Sequence, residues 1–183
     1  GDTSTNDTCL VLANGLAENA EITEKGEAYD QFCEALNFVT IYLARKMAGD
    51  GEGATALFET TVINAATKQE ARILAKSVIG SSLCKAAIYG HDANFGRFLC
   101  ALGYSGVQFE PEKVELYFQS KAGKMLIYKD GTATDYSEEE ATKILSEPEV
   151  TVLVDMKMGE ETATAWGCDL TYDYVKINAD YRS

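Results

Sequence analysis

One histidine, His91, is all the imidazole this sequence holds, and no Gly-x-Ser-x-Gly elbow accompanies it, which disfavours a self-contained Ser-His-Asp hydrolase. Positive charge is scarce too. Sixteen Lys and Arg face 29 Asp and Glu, a net charge of −13, which repels a phosphate backbone and leaves no basic stripe for nucleic acid. No apolar run approaches the roughly 18 residues of a membrane span, and the polar start Gly1-Asp2-Thr3-Ser4-Thr5-Asn6-Asp7-Thr8 has neither a basic n-region nor an apolar h-region. The expectation is a chain that is neither secreted nor membrane-bound. Cysteines are few, odd in number and far apart: Cys9, Cys33, Cys84, Cys100 and Cys168. Most sit in apolar contexts such as Phe32-Cys33, which predicts reduced core thiols rather than disulfides. No His/Cys spacing fits zinc, and Asp50 with Glu52 lacks the further oxygen ligands of a calcium loop, so no metal is predicted. Internal repeats, linkers and low-complexity stretches are absent as well.

What the sequence does contain is enough apolar material for a sizeable core: 46% of its 183 residues are hydrophobic. Cys9 to Ala13 reads as a short buried strand ended by Asn14-Gly15. From about Gly26 to Met47, residues Tyr29, Phe32, Leu36, Val39, Leu43 and Met47 recur at helical spacing. Leu57 to Ala65 carries the β-branched and aromatic types of a strand. Thr67-Lys68-Gln69-Glu70 spells a capping box ahead of a helix through Ile73, Leu74 and Val78. Ser82 to Tyr89 has strand character, and Phe95 to Gly103 is a further helix. Beyond Gly106 short strands are expected at Val107–Phe109, Val114–Phe118 and Met125–Tyr128. An acidic helix start follows at Ser137-Glu138-Glu139-Glu140. Glu149 to Met156 alternates as a strand, and Thr162 to Val175 reads as a final long strand or pair of strands. The fold class is therefore α/β (α+β), with a strand-helix alternating part at residues 1–104 and a mostly antiparallel α+β domain at 105–183.

Three polar, glycine-punctuated segments are candidates for chemistry. The first is the hydroxyl- and carboxylate-rich start, residues 1–7, which otherwise reads as a solvated terminus. Gly49-Asp50-Gly51-Glu52-Gly53 is the second; its glycines permit close backbone approach and could present the Glu52 carboxylate to an ammonium, or else simply stop a helix. In the third, Gly90-His91-Asp92-Ala93-Asn94-Phe95-Gly96-Arg97, Asp92 or Asn94 can cap a helix while Arg97 could clamp a carboxylate. The residues alone lead no further than an α/β protein with three polar loops.

Taken in order, five blocks resemble the ornithine acetyltransferase (glutamate N-acetyltransferase) family, also described as bifunctional arginine biosynthesis proteins. These are Gly1 to Thr8 before Leu12-Ala13-Asn14-Gly15; Gly51-Glu52-Gly53-Ala54-Thr55; Ala75-Lys76-Ser77-Val78-Ile79-Gly80-Ser81-Ser82-Leu83; Ala87 to Arg97; and the closing run Trp166-Gly167-Cys168-Asp169-Leu170-Thr171-Tyr172-Asp173-Tyr174-Val175-Lys176-Ile177-Asn178-Ala179-Asp180-Tyr181-Arg182-Ser183. They span nearly the whole chain. Ala56 stands where the family usually has lysine, and Phe95 where it usually has tryptophan.

The resemblance implies an N-terminal-nucleophile-like layered sandwich and a precursor that cleaves itself before a threonine. The freed amine of that threonine then serves as base for its own hydroxyl. It implies an enzyme of arginine biosynthesis in which acetyl passes from N-acetylornithine to the threonine and then to glutamate, in ping-pong fashion. By the same resemblance the nucleophile is expected upstream of Gly1 and the oxyanion hole in an α subunit from the same precursor, in an α2β2 heterotetramer. This chain would then supply the substrate-binding residues Glu52, Asn178 and Ser183 and no catalytic residue. No cofactor is expected, although acetyl-coenzyme A is an alternative acetyl donor for some members. The expected compartment is the cytoplasm, or the mitochondrial matrix in a fungus. Alternatives are a non-catalytic binding or assembly fragment and a related amidase that releases acetyl to water.

Overall fold

The computed structural model describes Asn6 and residues 8–180. The chain divides into two units, one running up to Leu43 and the other from Ala44.

In the first unit the expected strand at Cys9–Ala13 does not form: Leu10, Val11 and Leu12 belong to no strand and are exposed. A strand needs a ladder partner for its backbone amides and carbonyls, and among the described residues no strand pairs with this segment. Asn14-Gly15 does turn, with the Leu16 N–H donating to Asn14 Oδ1. Helix α1 spans Glu27–Gly49 and crosses the division between the units. Glu27 and Asp30 lie in its first turn and Lys46 in its last, charges that match the helix dipole. The expected apolar stripe exists, yet no residue of α1 is buried.

The second unit is a six-stranded mixed sheet in the order β4-β3-β2-β5-β1-β6, from strands β1 Leu57–Ala65, β2 Glu115–Ser120, β3 Gly123–Lys129, β4 Thr132–Ala133, β5 Glu149–Asp155 and β6 Glu161–Cys168. β1 pairs β5 in parallel, and the other neighbours are antiparallel. Because β1 lies between β5 and β6, residues from both sides of position 104 build one sheet, and the change of pattern at Gly103–Gly106 does not divide it.

Alternate residues of the strands pack into the core, Phe58 and Val62 from β1, Leu116 and Phe118 from β2, Val150, Val152 and Val154 from β5. They meet helices α2 Lys68–Ile79, α3 Ser82–Tyr89, α4 Phe95–Gly103 and α5 Glu138–Leu145. Three aromatic rings interlock at the centre: Phe58 meets Phe98 edge-on at 6.3 Å, and Phe98 meets Phe118 at 5.2 Å. Residues of the opposite parity form a polar band. There Glu59 accepts from Trp166 Nε1 at 2.6 Å and Arg45 Nη1 at 2.6 Å, and the Thr61 and Thr164 hydroxyls lie 3.0 Å apart.

Two segments expected as strand are helical. Ser82 to Tyr89 forms α3, because Cys84, Ala87 and Ile88 recur at helical spacing on one buried face and the Ser81 hydroxyl accepts from the Cys84 N–H. Tyr172–Asp180 forms helix α6 rather than continuing β6. The strand ends at Cys168 because the next residues spend their side chains on another loop, as described below. Val107–Phe109 is also not a strand, since it has no ladder partner and leads into a 3-10 turn at Pro111–Lys113. The capping box is half realised: the Glu70 N–H donates to Thr67 Oγ1 at 3.1 Å, but the Glu70 carboxylate accepts from the Thr67 hydroxyl rather than from a backbone amide.

Candidate functional site

Helix α1 ends at Gly49, and the chain then turns tightly, the Ala54 N–H donating to Gly51 O at 2.9 Å. Two glycines make the next contact possible. A Cβ on Gly51 would stand 2.6 Å from Cys168 Sγ. Gly53 adopts φ +67°, and a Cβ there would meet Asp173 Cβ and Tyr174 N at 2.9 Å. The Glu52 loop thus lies directly against the end of β6 and the start of α6.

Side chains of the Cys168–Thr171 link fasten that contact. Asp169 is buried, 3% exposed. Its Oδ1 accepts from the Thr55 N–H at 2.9 Å and the Ala56 N–H at 3.2 Å, its Oδ2 accepts from the Thr55 hydroxyl, and its own N–H donates to Ala56 O. A carboxylate offers acceptors only, and each partner here is a donor. Ala56 therefore contributes backbone to the site. The buried Thr171 hydroxyl donates to Gly53 O at 2.8 Å and accepts from the Tyr174 N–H at 3.1 Å, capping α6. On the flank, Lys85 of α3 places Nζ 3.9 Å from Cys168 Sγ and receives the Leu170 N–H on its carbonyl, while Tyr89 meets Tyr172 edge-on at 5.7 Å.

This packing unites two residues 126 positions apart. Asn178 Nδ2 donates to Glu52 Oε2 at 2.9 Å and to Tyr174 O at 2.9 Å, and both residues are exposed. Acceptors on both sides fix the orientation of the amide group. Its two hydrogens are thereby engaged, so what the pair presents outward is oxygen: the second Glu52 oxygen and Asn178 Oδ1. Such a pair suits an ammonium better than a carboxylate. Glu52 and Asn178, the two residues that the resemblance assigned to substrate, are therefore in contact with each other; Ser183 lies outside the described residues, as does most of the polar start at residues 1–7.

The third polar segment has structural work instead. His91 turns the chain with φ 50° and lies 3.3 Å from Ser146 Oγ. Arg97 reaches Asp92 at 3.7 Å and Leu83 O at 3.3 Å, so the carboxylate it meets is the chain's own. Asn94 holds the N-cap position of α4 without capping it, its amide turning to Asp92. Phe95 stacks on Tyr128 at 5.5 Å. Of the cysteines only Cys84 is a fully buried thiol, pushed up to about 11 by burial; Cys9 and Cys100 are exposed. Among the described residues no group of three or more His, Cys, Asp or Glu could hold a metal.

Sequence reasoning missed Asp169 and Thr171. The available signal was Thr171 followed by Asp173 in the first turn, a helix start hidden inside a stretch read as strand.

Known proteins share this architecture. The arginine biosynthesis bifunctional protein ArgJ of Caldanaerobacter subterraneus subsp. tengcongensis is 51% identical over 183 residues, covering 100% of this chain and 45% of that protein. The corresponding protein of Thermotoga neapolitana is 49% identical over 183 residues, with 100% and 46% covered. The chain spans about half the length of the curated relatives it matches. A crystal structure of the arginine biosynthesis bifunctional protein argJ from Bacillus halodurans superposes with a TM-score of 0.90 at 47% identity, covering 99% of this chain and 84% of that one. The ArgJ family model matches residues 1–183, and with full-length coverage by such relatives and a common fold, the chain belongs to the ArgJ family.

Proposed function

We propose that this chain supplies substrate-positioning residues to an acyltransferase that moves acetyl from N-acetylornithine to glutamate through an acetyl-threonine ester. The contact between Glu52 and Asn178 carries this reading within the family. In the first half-reaction a threonine hydroxyl outside this chain attacks the acetamide carbonyl, and ornithine departs with its amine protonated. In the second, the amine of glutamate attacks the ester and the threonine is released. N-acetylornithine keeps one free ammonium, on its side chain. Glu52 is the group that receives it, and Asn178 holds Glu52 in place.

The reading extends to assembly: an α subunit from the same precursor joins this chain in an α2β2 heterotetramer. Its support is the share of the relatives' length that this chain spans and the unburied apolar residues of α1. Acetyl-coenzyme A is proposed as a second donor to the same threonine, in keeping with relatives described as bifunctional. A cytoplasmic location, or the matrix in a fungus, belongs to the same proposal. Among the described residues no helix is long and apolar enough to cross a membrane.

The test is Glu52→Gln in the assembled enzyme, with this chain in its full-length polypeptide. Losing a hydrogen-bonded charge partner should raise KM for N-acetylornithine roughly 10- to 100-fold, with a smaller change in KM for glutamate. An unchanged KM for N-acetylornithine would sink the assignment, and ornithine release that needs no glutamate would indicate a hydrolase.

A further inference from the structure

The Glu52–Asn178 pair belongs to a closed circuit. Beginning at Gly53, next to Glu52, its carbonyl accepts from the Thr171 hydroxyl, which accepts from the Tyr174 N–H. The Tyr174 carbonyl accepts from the Asn178 amide, which also donates to Glu52. Every link is 2.8 to 3.1 Å long. Two side chains outside the substrate pair, Thr171 and Asp169, hold this arrangement. Thr171 joins both strands of the circuit through one oxygen, and Asp169 anchors the following residues, Thr55 and Ala56. Thr171 is 4% exposed, so no solvent replaces its two partners if it is lost.

We propose that Thr171, backed by Asp169, is a positioning residue that sets the Glu52 carboxylate for the substrate ammonium. Thr171 touches no substrate; it works through Gly53 on one side and the first turn of α6 on the other. An exposed carboxylate on a glycine-flanked loop has many rotamers and backbone states to lose on binding. Fixing Gly53 O and the base of α6 from one hydroxyl removes much of that cost before substrate arrives. Asp169 prevents the loop from sliding along the β6 end, because its contacts involve two consecutive amides.

This inference rests on the role of Glu52 proposed above, and a mutant cycle in the assembled enzyme separates the two. Thr171→Val keeps shape and removes both hydrogen bonds. It should raise KM for N-acetylornithine about tenfold while kcat stays within about threefold, and Thr171→Ser should restore KM. In an E52Q background T171V should add little, because a residue acting through Glu52 has nothing left to position. If E52Q raises KM while T171V does not, or if T171V multiplies the E52Q loss by its full factor, the positioning role is overturned and the role of Glu52 stands. If E52Q leaves KM unchanged, both fall. A T171V protein that fails to fold is covered by Asp169→Asn against Asp169→Glu. Asn retains an acceptor for the two amides and should keep KM low, whereas Glu, longer by one methylene, should displace the loop and raise it. Equal KM values for the two Asp169 variants would overturn the proposal.

Discussion

At the scale of single residues, Lys157 bridges two carboxylates. Its Nζ lies 2.7 Å from Asp155 and 3.2 Å from Glu115, and Glu115 also meets Lys129 at 3.4 Å. The hydrogen bond from Tyr117, then those from Lys157 and Lys129, hold the Glu115 carboxyl below its ordinary value of 4.5. Burial alone would push Asp155 up from its ordinary 3.8, but hydrogen bonds from Lys157 and Asn64 outweigh it and hold it below. A carboxyl depressed in the folded state stabilises the fold above its unfolded value, and that contribution is lost as pH falls through the folded one. Lys157→Met should therefore lower Tm at neutral pH by about 2–4 °C, corresponding to about 1 kcal/mol for a pair screened by solvent. The gap to wild type should close as pH drops below the ordinary carboxylate values. A gap independent of pH between 3 and 7 in calorimetry would contradict this account.

At the scale of elements, helix ends decide more than propensity does. The α2 start was readable, because Thr67 and Glu70 announce it and the structure uses both. Thr67→Ala should cost about 1 kcal/mol in chemical denaturation; an effect below 0.3 kcal/mol, roughly the noise of such measurements, would mean that the cap is idle. The start of α6 was not readable in the same way. Its cap, Thr171, sits in a run whose Tyr, Val and Ile residues have strand character, and what ends β6 is Asp169 bonding residues 113 and 114 positions away. For α3 the signal was local, in Ser81 as cap and Cys84, Ala87 and Ile88 at helical spacing, but the short apolar run suited a strand equally well. The early segment Cys9–Ala13 shows the converse. Strand composition without a ladder partner produces no strand.

At the scale of the whole molecule, the buried apolar residues form one core in the second unit, and α1 contributes none of them. Phe32, Phe38, Val39, Tyr42 and Met47 are exposed on a helix without a single buried residue. An apolar surface of that kind marks an interaction site. The chain expressed alone should bind an apolar dye and self-associate in sedimentation, and expression in the full-length polypeptide should abolish both. A monodisperse, dye-silent isolated chain would show that α1 needs no cover. The residues and their order, by themselves, determined the acidic character, the family resemblance and most of the elements, because caps, periodicity and β-branched runs act over a few positions. They also pointed to Glu52 and Asn178 through that resemblance. Only the tertiary structure decided that the two touch, that β1 lies between β5 and β6, and that Asp169 and Thr171 bind the loop to α6. Those contacts join residues from 92 to 126 positions apart, and such pairings depend on which surfaces pack together, which no local pattern encodes.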